Sequence, residues 1–294
     1  MYYRRKILLS LLQAFDGELD KMHLQKLLFL VSRHQTVRSF HFVPYKYGCF
    51  SFQADSDLGT LVKYNIIAES DNNWKKTDSI DYLKDLKTKD QLAIRYVKLQ
   101  FGACSKDALV KVTYQNYPYY AINSIIASNI LNAEELEKVE KQRPSKPEIV
   151  LFTIGYEGIS LEEYINKLIV NDVRILCDVR KNSLSMKYGF SKIQLQNACK
   201  WVGIEYIHIP EVGIDSDKRQ ELNSQADHDK LFFYYRTTVL INEKEKQKEI
   251  LSLLQSKRRV ALTCFEANIF QCHRKYLAES ISQMEGFTYE LKHI

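Results

Sequence analysis

Two hydrophobic rhythms divide this chain. Up to about residue 140, apolar positions mostly recur at three- and four-residue intervals, the helical period. After residue 148, short apolar, partly β-branched runs alternate with amphipathic stretches of helical length.

In the first half, residues 7–14 have helical spacing, Asp16-Gly17 interrupts it, and Asp20 is placed to cap a second helix with Met22, Leu24, Leu27, Leu28, Leu30 and Val31 on its apolar faces. An aromatic extended piece over 40–51 precedes Ser51, which can cap a third helix to about residue 64. Residues 66–70 and 74–77, separated by Asp71-Asn-Asn, read as a two-stranded hairpin. Helices followed by a β wing predict a mainly helical, winged-helix-like domain over 1–140, with further helices at 80–86, 89–101, 105–114 and 133–140. The tyrosine-rich stretch 114–120 can stack on bases, but packing of Tyr117, Tyr119 and Tyr120 against the neighbouring domain around Pro118 is the expected role.

Residues 141–147, polar and holding two of the five prolines, form the expected linker. Beyond it, strands are predicted at 149–154, 173–179, 204–210, 260–263 and 287–292. Helices are expected at 160–170, 190–202, 232–254 and 272–280, and a charged stretch follows the third strand. Such alternation predicts βαβ units with right-handed crossovers, hence a Rossmann-like, mostly parallel sheet covered on both faces over 148–294.

Composition adds little except in charge. Hydrophobic residues make up 45% and charged residues 27%, the balance of an ordinary globular chain. No apolar run reaches membrane-spanning length, and the start lacks a signal-peptide core, so no membrane association and a cytoplasmic location are expected. Six cysteines are spread without a dense pattern, which suits reduced thiols. Residues 1–147 hold 22 Lys+Arg against 16 Asp+Glu, whereas 148–294 hold 20 of each, so the first half carries the whole net charge of +6. That excess suits nucleic acid or an acidic protein partner, and equally a plain solvated surface.

In an open parallel sheet, ligands sit beyond the carboxyl ends of the strands. Four predicted strand ends turn polar there: Tyr156 and Glu157, Asp178 and Arg180, His208, and Cys264 with Glu266. Cys272, His273 and Arg274 join them at the start of the last helix. A helix N-terminus, a histidine and an arginine each lower a thiol pKa, which makes Cys272 a candidate nucleophile. Glu266 is a candidate general base or a partner of Arg180 or Arg274. Asp178 and Arg180 share a strand face, so they contact one ligand or each other. The reactive candidates are therefore Cys272, Glu266 and Asp178, and the ligand-binding candidates are Tyr156, Arg180, His208, Cys264, His273 and Arg274, with the two arginines as phosphate grips. Seven residues separate Cys264 and Cys272, where zinc motifs show two to four, so no metal ligand is assigned. With neither a G-x-G-x-x-G glycine set nor a P-loop, the sequence names no cofactor.

Two resemblances attach to these residues. Leu24-Gln-Lys-Leu-Leu-Phe-Leu30, Tyr45-Lys-Tyr-Gly-Cys-Phe-Ser51, Asp57-Leu58 and Leu61 resemble the Panacea or SocA-like antitoxin domain, which implies a place in a prokaryotic phage-defence or toxin–antitoxin-like system. Thr153-Ile-Gly-Tyr156, Cys177-Asp-Val-Arg180, Phe190-Ser191, Gly203-Ile-Glu-Tyr-Ile-His208, Cys264-x-Glu266 and Cys272-His-Arg274 resemble the domain of unknown function 488 family, which implies a Rossmann-like domain with a shared polar site and no established reaction. The combined expectation is an enzyme-like pocket for a nucleotide or nucleic acid, with a protein partner as a further role for the N-terminal half. The alternatives are a non-catalytic sensing module and a metal-dependent hydrolase.

Overall fold

Helix α1 (Tyr3–Ala14) buries all six consecutive positions from Ile7 to Leu12, Ser10 among them, because it is surrounded by other elements rather than laid on a surface. The computed structural model describes residues 1–219 and 224–294, which cluster into two units, Met1–Arg143 and Pro144–Ile294.

In the first unit, α1 is followed by β1 (Glu18–Asp20) and α2 (Lys21–His34), which Asp20 caps by accepting from the N–H groups of Met22 and His23. A two-stranded ribbon, β2 (Val43–Tyr45) and β3 (Gly48–Phe50), leads to α3 (Phe52–Lys63), whose Ala54 N–H bonds the Ser51 hydroxyl. The hairpin β4 (Ile67–Glu69) and β5 (Asn73–Lys76) forms as expected, and β1 adds to it, giving an antiparallel sheet of order β1-β5-β4.

Helices α4 (Thr88–Phe101), α5 (Lys106–Asn116), α6 (Ala127–Ile130) and α7 (Ala133–Glu140) complete this unit. The helix expected over 80–86 is instead a single 3-10 turn, Leu83–Asp85. Tyr82 just before it is tied to Asp78 through its hydroxyl and to Gln13 through its N–H, bonds that hold an irregular segment. Tyr117 and Tyr120 pack edge-on against Phe29 inside this unit.

The second unit runs β6 (Val150–Gly155), α8 (Leu161–Val170), β7 (Ile175–Asp178), α9 (Lys192–Trp201), β8 (Glu205–His208), α10 (Gln225–Tyr234), α11 (Leu240–Asn242), α12 (Lys244–Lys257), β9 (Arg259–Cys264), α13 (His273–Ser282) and β10 (Glu290–His293). Its five strands are parallel throughout, in the order β10-β6-β9-β7-β8. The three central strands are buried along their whole length, as their continuous apolar runs require, while β8 and β10 form the edges. The single long helix expected over 232–254 is broken by a π-helical turn, Tyr235–Val239, where the Tyr235 hydroxyl donates to the Val212 carbonyl. Of the charged stretch expected after the third strand, residues 220–223 lie outside the described residues. Among the described residues, no helix is long and apolar enough to cross a membrane.

Strand order fixes where a ligand can sit. The chain steps from β6 to β7 to β8 in one direction across the sheet, then reverses to β9 and β10. With right-handed crossovers, that reversal puts α8 and α9 on one face and α12 and α13 on the other. Packing agrees with this: Leu151, Ile175, Cys177, Val260 and Leu262 join Ile250, Leu254, Leu277 and Ile281 in one core cluster, while on the other face the Tyr164 hydroxyl of α8 donates to Thr263 Oγ1 at 2.7 Å. Strand β9 therefore lies between neighbours whose connections leave to the opposite face. A crevice opens at its carboxyl end, the topological switch point of an open α/β sheet.

Candidate functional site

Strand β7 ends in a fully buried carboxylate, Asp178, and its charge is met almost entirely by the next turn of chain. Arg180 donates from Nε to Asp178 Oδ1 at 2.8 Å and from Nη2 to Oδ2 at 2.5 Å, and its N–H reaches Oδ1 at 3.1 Å. The Tyr206 hydroxyl of β8 adds a fourth bond, to Oδ2 at 2.6 Å. Arg180 Nη1 is turned to the Tyr156 hydroxyl at 2.6 Å, and the Tyr156 ring stacks on Phe190 with centroids 4.2 Å apart. Burial lowers the Arg180 pKa, but the bonds and charge of Asp178, with Tyr156 behind them, outweigh it and hold the guanidinium firmly protonated. Of the two outcomes open to Asp178 and Arg180, the structure realises contact with each other.

The second group lies on the α13 side. Strand β9 ends at Cys264, whose Sγ faces Glu266 Oε2 at 3.2 Å and His273 Nδ1 at 3.7 Å. Cys272 Sγ stands 4.0 Å from the same nitrogen. The seven intervening residues fold back through a 3-10 turn, Ile269–Gln271, so that Cys272 returns beside Cys264 as the N-cap of α13. His273 Nε2 lies 3.1 Å from the Val179 carbonyl. A carbonyl only accepts, so that nitrogen carries the proton and Nδ1 turns its lone pair to the sulfurs. Cys272 is buried, and burial, followed by the hydrogen bond and charge of Cys264, drives its thiol pKa well above the ordinary value. Desolvation thus overrides the helix N-terminus, the histidine and the arginine that on sequence grounds favoured a thiolate.

Arg274 is also buried, with Nη1 donating to the Glu266 carbonyl at 2.6 Å and Nη2 to the Ala267 carbonyl at 3.3 Å. It bonds the backbone of Glu266 and not its carboxylate, so it shapes the β9–α13 loop. Gly155, at the end of β6, makes that loop path possible, because a Cβ there would lie 2.0 Å from the Glu266 carbonyl oxygen. Half-buried His208 places Nε2 2.9 Å from the Arg180 carbonyl.

Between these groups lies a cavity of about 570 Å³, walled by Tyr156, Cys264 and Phe265 on one side and by the segment from Arg180 to Lys187 on the other. Among the sequence candidates, Tyr156, Arg180 and Cys264 line it, whereas Asp178, His208, Glu266, Cys272, His273 and Arg274 do not. Sequence reasoning passed over Lys187, whose Nζ donates to the Tyr156 carbonyl at 2.5 Å, and Tyr206, which completes the Asp178 shell. Tyr206 precedes His208 by two on β8, and that alternation was the one signal available for it.

Residues 160–281 match the family model of the domain of unknown function DUF488. The matched span runs from the Ser160 cap of α8 almost to the end of α13, and so contains both the Asp178–Arg180 pair and the Cys264, Cys272 and His273 group. Tyr156 lies just before the DUF488 span. No curated protein and no solved structure matches the chain.

Proposed function

We propose that the α/β unit binds a phosphate-bearing ligand, a nucleotide or a nucleic-acid end, in the cavity at the carboxyl end of β9. The observation that carries this reading is the lining itself: Arg180, Lys181 and Lys187 contribute three cations and no carboxylate faces them from the wall. Nearby acids temper the charge, since Arg180 is paired with Asp178 and Lys181 Nζ stands 3.6 Å from Asp215. Arg180 therefore acts as a fixed positive wall, and the phosphate is met by Lys181 and Lys187 beside Asn182 and Ser185. Phe265 and Leu184, both exposed at the rim, offer a flat apolar surface for a base.

Chemistry beside this cavity rests on Glu266, whose carboxylate touches the lining residue Cys264. Asp178 is saturated and Cys272 is buried, whereas Glu266 is part-exposed beside Cys264. Ligand sensing without turnover is the second reading, favoured by the saturation of Asp178.

The first unit has the element order α1-β1-α2-β2-β3-α3-β4-β5, and its helices with the three-stranded sheet β1-β5-β4 support a winged-helix reading in which the β2-β3 ribbon is an insertion; the Panacea or SocA-like resemblance and the phage-defence role rest on the sequence motifs. Helix α3 presents Asp55 against Lys63, while Asp57 is buried on Arg4 and Arg5, so this helix offers no cationic excess to a phosphate backbone.

Calorimetric titration of the full chain with adenosine monophosphate, adenosine diphosphate and a 5′-phosphorylated oligonucleotide tests the cavity. Binding by at least one, weakened ten-fold or more by Lys181→Glu, is expected. Equal affinity in Lys181→Glu, or no binding by any of the three, overturns the reading. Turnover lost in Glu266→Gln with binding kept would select the enzyme over the sensor.

A further inference from the structure

We infer that Cys264, Cys272 and His273 form a zinc-class metal site whose remaining coordination position faces Glu266 and the strand-end cavity. The three ligand atoms, Cys264 Sγ, Cys272 Sγ and a His273 ring nitrogen, lie within 4.8 Å of one another, and all three residues are buried. The nitrogen-to-sulfur distances are 3.7 and 4.0 Å. With zinc–sulfur bonds of about 2.3 Å and zinc–nitrogen bonds of about 2.0–2.1 Å in a tetrahedron, neighbouring ligand atoms stand roughly 3.5–3.8 Å apart. A small contraction of the group suffices.

The histidine is prepared for this role. Its Nε2 is engaged by the Val179 carbonyl, which fixes the ring and leaves Nδ1 as the donor atom, the arrangement in which metal-bound imidazoles are held by a second partner. Two sulfurs and an imidazole form a soft donor set that selects zinc over magnesium or calcium. Three protein ligands with one position left over is the pattern of catalytic zinc rather than of closed structural sites. Glu266 Oε2, 3.2 Å from Cys264 Sγ, is close enough to be the fourth ligand or to hold a water in that place.

Charge balances as well. The incoming dication displaces the two thiol protons, which leave to solvent, so metal and thiolates sum to zero, while the Glu266 carboxylate and the Arg274 guanidinium offset each other. Cys264 is shared with the cavity wall, whereas Cys272 and His273 do not line it, and zinc content is read without any phosphate ligand.

The test is the metal content of full-length protein purified without chelator under reducing conditions, together with cobalt substitution. About one zinc per chain is expected, lost in Cys264→Ser and in Cys272→Ser and retained in Cys199→Ser. The cobalt form of the unmodified chain should show a thiolate-to-cobalt charge-transfer band with intense tetrahedral d–d bands, a readout that needs no variant to fold. Failure of the folded, reduced chain to take up zinc or cobalt in excess overturns the inference. So does zinc that persists in both cysteine variants, or a Cys264–Cys272 disulfide in freshly prepared protein in place of the metal.

Discussion

The guanidinium of Arg180 closes a two-point pair on the carboxylate of Asp178, two residues before it, with Nε to Oδ1 at 2.8 Å and Nη2 to Oδ2 at 2.5 Å. The two side chains keep 6% and 0% of their exposure, so neither charge retains appreciable water. Removing one partner strands the other in the interior, which costs about 3–5 kcal/mol, whereas removing both by apolar replacement costs far less. Asp178→Asn and Arg180→Met should each destabilise the second unit by that order, and the double variant by clearly less than their sum. Urea pulse proteolysis of the full chain reads this. Additive losses would mean that the pair is not coupled as its geometry demands.

How far this pair could be read in advance shows what a sequence carries. Period-2 alternation on β7 puts residues 178 and 180 on one face, and that inference needs nothing beyond the strand itself. The central strands were legible for a similar reason, since the runs over 149–154 and 260–263 are largely apolar on both faces and have no place except the middle of a covered sheet. The caps at Asp20 and Ser51 were legible because capping is local. Burial of Cys272 was not legible, because it depends on elements distant in the chain. Nor was the return of Cys272 to Cys264, which depends on a 3-10 turn and on carbonyls pinned by Arg274.

Buried thiols outside the site make an alkaline prediction. Cys199 on α9 is fully buried, and burial, with the charge of Asp178 behind it, raises its pKa above the ordinary 9.0. Below 9.0 both the folded and the unfolded chain hold this proton, so its stabilising share is fully present. As pH rises above that value the unfolded chain releases the proton while the folded chain keeps it, and stability falls by up to about 1.4 kcal/mol per pH unit from this group. Cys199→Ala should lose about 1–2 kcal/mol at neutral pH through lost contacts, yet show a shallower decline between about pH 9 and 10.5. Parallel slopes for the two proteins in urea pulse proteolysis would refute the assignment.

Gly155 and Gly158 stand three residues apart at and just beyond the end of β6 and should respond to a methyl group with losses of different size. At Gly158 the backbone has φ +77°, in the left-handed region, but an added Cβ meets nothing within 4 Å. Gly158→Ala therefore bears only the conformational penalty of about 1–2 kcal/mol. At Gly155 the added Cβ lies 2.0 Å from the Glu266 carbonyl oxygen and 3.0 Å from Arg274 Nη2, so β6 and the β9–α13 loop must separate. Tyr156 and Glu157 donate their N–H groups to the Phe265 carbonyl, and those bonds would stretch with the loop. Gly155→Ala should cost about 3 kcal/mol or more, at or beyond the upper end of overpacking penalties because the obstacle is backbone. It should also raise amide exchange across residues 265–272, which Gly158→Ala leaves protected. Equal thermal shifts for the two variants would show that the loop is free to move, and that Gly155 does not set its position.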